Sequence, residues 1–155
     1  MNVDVLEGPN LLRKAREDAG LTQSALAASA GIAQSNLSAI ESGKRPVSGE
    51  MLVALLRAAD YRPSLPLAFH AEEVKRIGEG YGVKNIRVFG SVAQGTDHST
   101  SDIDLLVDVA EGRGYFAVGA FQTDVESLLG FPVEVVVDSD QPDLVEYIRP
   151  QAVPL

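Results

Sequence analysis

Apolar residues recur at helical spacing through the first sixty positions and at strand spacing beyond them. Leu12, Ala15 and Ala19 mark one face of a helix that ends at Gly20. Thr22 is a good N-cap for a second helix carrying Leu26 and Ala27 and stopping near Gly31. A third, about residues 33–41, turns Leu37 and Ile40 inward and ends at Ser42-Gly43. Ser48 caps a fourth, with Met51, Leu52, Leu55 and Leu56 on its buried side. From Tyr61 to Phe69 the periodicity fades and prolines stand at 63 and 66, the marks of a boundary between domains.

The remainder alternates. The pattern predicts a helix over about 70–81, a strand over 85–89, a short helix, a strand over 103–109, a helix over about 115–129 ending at Gly130, a strand over 132–137, and a last helix from about Pro142. The expected fold class is α followed by α/β: a helical bundle, then a small α/β unit with a three- or four-stranded mixed sheet. The expected domains are 1–62 and 70–155, joined by a linker at 63–69.

Composition narrows the class. At 45 % hydrophobic and 23 % charged residues the chain reads as soluble and globular. It has no cysteine, and it shows neither a membrane-length apolar run nor a signal peptide, so a cytoplasmic protein with no membrane partner is expected. Charge divides the halves. Residues 1–66 hold seven Lys/Arg against seven Asp/Glu and residues 67–155 six against fifteen, so the second half carries the whole −9. That half would be repelled from nucleic acid without a metal or partner, while the neutral half can approach DNA.

The candidate chemistry lies in the acidic half. Gly90-Ser91 closes an apolar run, and two aspartates, Asp102 and Asp104, open another. Side chains at i and i+2 on a strand share a face, so these carboxylates converge where a divalent cation would relieve their repulsion. A small-residue turn opening a helix offers N–H groups to phosphate. Together they read as a metal-nucleotide site.

Gly90-Ser91, ten residues, then Asp102-x-Asp104 resembles the signature of the minimal nucleotidyltransferases of the DNA polymerase β superfamily, over roughly residues 70–155. The resemblance implies nucleotide transfer from a nucleoside triphosphate, with ATP the expected donor. Asp102 and Asp104 would hold Mg²⁺, and Gly90 and Ser91 would bind phosphate. A third carboxylate on a following strand is usual in that family. Glu134, in Val133-Glu134-Val135, fills the place, with a longer side chain than the usual residue, as a metal ligand or the base for an attacking hydroxyl. His98, His70, Asp97, Asp138 and Asp140 read as ordinary loop, junction or capping residues.

Leu21-Thr22-Gln23 through Gly31-Ile32 to Asn36-Leu37-Ser38 and Gly43-Lys44-Arg45 resembles the phage repressor/Cro class of helix-turn-helix, over roughly residues 9–62. The class implies a tight turn at Gly31 with Ile32 plugging the core, and a recognition helix from Ala33 in the major groove. Thr22, Gln23, Asn36, Lys44 and Arg45 would meet phosphate, and Gln34, Ser35 and Ser38 base edges. Arg16 and Glu41 match a structural pair. The recognition helix carries no Lys or Arg, so specific binding would need a dimer or an added partner.

Small nucleotidyltransferases of this kind resemble MntA-type antitoxins, which adenylylate a HEPN-domain ribonuclease. The combined resemblance implies an antitoxin that binds operator DNA for autorepression and modifies a cognate toxin, as a homodimer or a hetero-oligomer with that toxin. Two alternatives stay open: an inactive transferase fold neutralising by steric binding, and a toxin that modifies tRNA.

Overall fold

The computed structural model describes residues 8–140 and 142–155, which form two compact units divided between Arg62 and Pro63. In the first unit, α1 (Gly8–Asp18), α2 (Gln23–Ser29), α3 (Gln34–Glu41) and α4 (Gly49–Ala58) pack around Leu12, Ala15, Leu26, Ala27, Leu37, Ile40, Leu52, Leu55 and Leu56. Both expected caps form. The Thr22 hydroxyl accepts from Ala25 N at 3.1 Å and the Ser48 hydroxyl from Met51 N at 3.3 Å. Gly31 takes φ +67 between α2 and α3, the left-handed conformation that a tight helix-turn-helix corner demands.

Three side chains depart from the expected core. Ala19 is exposed, because α1 ends at Asp18 and the chain turns away at Gly20. Met51 is 42 % exposed. It stands about 100° around the helix from Leu52, and Leu52, Leu55 and Leu56 already fill the inward stripe. Ile32 is half-buried rather than a full plug.

The second unit runs α5 (Ser64–Phe69), α6 (Ala71–Tyr81), β1 (Val83–Phe89), α7 (Gly90–Gln94), β2 (Ile103–Val109), α8 (Tyr115–Leu129), β3 (Val133–Val137), α9 (Pro142–Ile148), one 3₁₀ turn (Arg149–Gln151) and β4 (Val153–Pro154). The mixed sheet has order β3-β2-β1-β4, with β2 and β3 parallel and the other pairs antiparallel. The 63–69 segment, expected as a linker, holds α5. Its Pro66 is the third residue of that helix, where a missing N–H breaks no intrahelical bond.

The sheet's two faces differ. Ile103, Leu105 and Val107 are wholly buried on one side, which α6 and α8 cover with Val74, Phe121, Val125 and Leu129. On the other side β2 presents Asp104, Leu106 and Asp108, level with Glu134, Val136 and Asp138 along β3. Val145 and Ile148 of α9 cover only the middle of that face, over Leu106 and Val136. Carboxylates therefore remain at both ends. Their surroundings are opposite in kind.

Candidate active site

At the N-terminal end of β2, strand register brings the acids together. Asp104 lies level with Glu134 on the parallel neighbour, and Asp102 precedes the strand. One carboxylate oxygen from each of Asp102, Asp104 and Glu134 falls within 4.8 Å of the others. Asp102 and Glu134 are exposed and Asp104 is half-buried. Burial, with Asp102 and Glu134 alongside, pushes the Asp104 carboxyl up to about 6. An all-oxygen donor set with mutual repulsion is what a hard divalent cation neutralises, so these residues fit a metal of the Mg²⁺ type.

The Gly-Ser turn meets the same spot. Register pairs Phe89, the last residue of β1, with Asp104, so the chain leaves the strand directly beside this carboxylate. Gly90 follows with φ +66, and a Cβ there would stand 2.1 Å from Oδ2 of Asp104. Glycine is required twice over, by conformation and by space. Ser91 sits next to it in the first turn of α7, half-buried, and its carbonyl accepts from Thr96 N at 3.0 Å.

The loop from Gly95 to Ser101 joins this turn to the aspartates. His98 Nδ1 and Thr100 Oγ1 lie 2.9 Å apart within it, both residues exposed. Asp97, in contrast, is only 5 % exposed, and its Oδ2 accepts from Ser64 N at 2.8 Å. It caps, as its residue type indicated, but the helix it caps is α5, thirty-three positions away. Sequence spacing carries no sign of that contact.

The far end of the face is an ion-pair network that the sequence reading missed. Nη2 of Arg87 lies 2.8 Å from Oδ1 of Asp108 and 2.7 Å from Oδ2 of Asp138, and Arg149 pairs with Asp138 as well. Asp138 lies in the turn just after β3, as a loop residue is expected to, but its carboxylate is paired. Hydrogen bonds from Arg149 and Arg87 hold its carboxyl below the usual range against the effect of burial. These acids are already neutralised. Among the described residues no Lys or Arg pairs with Asp102, Asp104 or Glu134, so the two ends of one sheet face differ in charge balance.

In the first unit, four of the residues expected at DNA are hydrogen-bonded in two pairs, Gln34 with Gln23 and Arg45 with Asn36. Gln34 Nε2 donates to Gln23 Oε1 at 2.9 Å, and Gln23 Nε2 donates to Glu41 Oε2 at 2.9 Å. Glu41 is held by Arg16 through Nε–Oε1 at 2.7 Å and Nη2–Oε2 at 3.0 Å. Arg45 Nη1 donates to Asn36 Oδ1 at 3.0 Å. Thr22, Gln34, Ser35, Lys44 and Arg45 are exposed, while Gln23, Asn36 and Ser38 are half-buried. The Ala33 cap of α3 makes no side-chain hydrogen bond.

Fold and site together define a nucleotidyltransferase unit joined to a helix-turn-helix unit. The nucleotidyltransferase domain model matches residues 69–152, and a helix-turn-helix model of the repressor type matches residues 12–65. The chain belongs to the nucleotidyltransferase domain family. A candidate protein adenylyltransferase of Methanocaldococcus jannaschii is 36 % identical over 67 residues, 43 % of this chain and 74 % of that protein. The protein adenylyltransferase MntA of Thermococcus cleftensis is 37 % identical over 65 residues, 42 % of this chain and 66 % of its own. A solved structure, described as a candidate minimal nucleotidyltransferase, aligns with TM-score 0.56 and 34 % identity over 61 % of this chain and 98 % of that one. The chain is thus a nucleotidyltransferase enzyme with a DNA-binding type of domain at its front. Among the described residues no helix is long and apolar enough to cross a membrane.

Proposed function

We propose that this chain is a cytoplasmic antitoxin that transfers AMP from ATP to a hydroxyl of a cognate toxin, a HEPN-type ribonuclease, and represses its own operon through the first unit. The observation that carries the reading is the triad of Asp102, Asp104 and Glu134 beside a glycine where any Cβ would displace the Asp104 carboxylate. Relatives named as protein adenylyltransferases support a protein acceptor. So does the acidic excess of residues 67–155, which makes a poor surface for RNA.

Each residue then has a task. Gly90 lets the backbone approach the triphosphate and Ser91 donates hydrogen bonds to it. Asp102 and Asp104 hold Mg²⁺, with Glu134 at the edge of the same site. When bound, the cation neutralises charge on the departing pyrophosphate. Glu134 takes the acceptor's proton as its hydroxyl oxygen bonds to the α-phosphorus. The bond from that phosphorus to the bridging oxygen breaks, and pyrophosphate leaves with the electron pair. In the first unit Gln34, Ser35 and Ser38 read base edges, and Thr22, Gln23, Asn36, Lys44 and Arg45 grip phosphates. With no Lys or Arg on α3, operator binding requires a homodimer or a complex with the toxin.

Co-expression with the product of the adjoining reading frame tests this. The wild type is expected to restore growth, and Asp102→Ala with Asp104→Ala to lose that ability while still folding and binding the toxin. Full neutralisation by that double variant would show steric inhibition instead.

A further inference from the structure

Among the described residues two acids are buried, Glu41 and Asp97. Glu41 belongs to the Arg16 pair. Asp97 lies six residues after Ser91 and five before Asp102, inside the loop that connects both halves of the transfer site. The loop holds its ends by local bonds: Thr96 N to Ser91 O at 3.0 Å, Ser101 N to His98 O at 2.9 Å, and His98 N to Ser101 Oγ at 3.1 Å. These bonds span five positions or fewer. Across a much longer sequence separation, Ser64 N donates to Asp97 Oδ2 at 2.8 Å.

We propose that Asp97 is a positioning residue for nucleotide transfer. By accepting from the first N–H of α5, its carboxylate pins the middle of the loop and so fixes where Asp102 stands relative to Gly90 and Asp104. Burial strengthens the anchor, since a hydrogen bond to a backbone N–H in a shielded place is stronger than a solvated one. Asp102 needs that help. It is exposed and lies outside β2, whereas Asp104 and Glu134 are held by the strand ladder. Asp97 touches neither substrate nor metal, and acts through the residues that do.

The inference rests on the metal-dependent transfer reading, and the test separates the two. Mn²⁺ binding to the full chain is followed by electron paramagnetic resonance, with Asp97→Ala, Asp97→Asn and Asp104→Asn compared. Asp97→Ala is expected to weaken Mn²⁺ about 10–100-fold, as loss of an outer partner of a metal site does, with a like fall in kcat and little change in nucleotide KM. Amide exchange across residues 95–101 should quicken in that variant alone. Asp97→Asn keeps an oxygen for Ser64 N, so it should restore both readouts. Unchanged Mn²⁺ affinity and loop exchange in a folded Asp97→Ala chain would overturn the anchor while leaving the transfer reading intact. So would an Asp97→Asn variant as impaired as Asp97→Ala. A wild-type chain whose Mn²⁺ binding is indifferent to Asp104→Asn would contradict both.

Discussion

A methyl group on residue 90 would overlap Oδ2 of Asp104 and force a β-carbon onto a backbone at φ +66. Gly90→Ala must therefore push the carboxylate or the turn aside by about 1 Å, a misplacement on the order of 100-fold in kcat. Steady-state kinetics with unchanged circular dichroism would check it. Asp104 makes a second prediction. Its folded carboxyl sits at about 6, above the ordinary Asp value near ~3.9, so its contribution to stability is full below about pH 4 and lost as pH rises through about 6. Without divalent cation, Asp104→Asn should be more stable than wild type at pH 7, by about 1 kcal/mol after allowance for solvent screening. The gap should close below about pH 4, and Mg²⁺ should narrow it by stabilising the wild type alone. Thermal melts across that range read both effects. Although Asp102 stands just before β2 and not within it, the convergence of Asp102 and Asp104 beside Gly90 was legible from their spacing. Asp97 was not, because its bond partner lies far away in sequence and no local pattern encodes it.

Helices and strands were legible where burial follows one regular stripe. β2 and α8 match their expected bounds, and Thr22 and Ser48 cap as expected. Misreadings arise where tertiary packing decides. Met51 borders a stripe already filled, and the prolines at 63 and 66 conceal α5. The two-residue β4 depends wholly on pairing with Arg87 and Val88 of β1. Within the first unit the Arg16–Glu41 pair ties α1 to α3, its side chains 11 % and 1 % exposed. Burial pushes the Glu41 carboxyl up, but hydrogen bonds from Arg16 and Gln23 outweigh it and hold the group below its usual value. Glu41→Ala leaves a shielded guanidinium without its carboxylate, and should cost the unit about 3–5 kcal/mol in urea unfolding. The native contribution of Glu41 is present above the unfolded carboxyl's pKa and fades as pH falls through its depressed folded value. Gln23 bonds the same carboxylate and Gln34 bonds Gln23, so these two residues proposed to meet DNA should loosen with it.

At the scale of the molecule, the uneven charge was the most readable feature, and it separates the two tasks. On the reading proposed above, the first unit binds operator DNA mainly through phosphates. Lys44→Ala with Arg45→Ala should then weaken binding across sequences alike and reduce the slope of log affinity against log salt by about 2, as measured by fluorescence anisotropy. The partner of the second unit leaves no pattern in one chain, since an interface is written in two surfaces. Transfer to that partner is the central claim. Intact-mass spectrometry of the toxin, after incubation with the purified chain, Mg²⁺ and ATP, tests it most directly. A gain of one or more AMP groups with the wild type, absent with Asp102→Asn and Asp104→Asn, is the expected result. An unmodified toxin that the wild type nevertheless silences would contradict it.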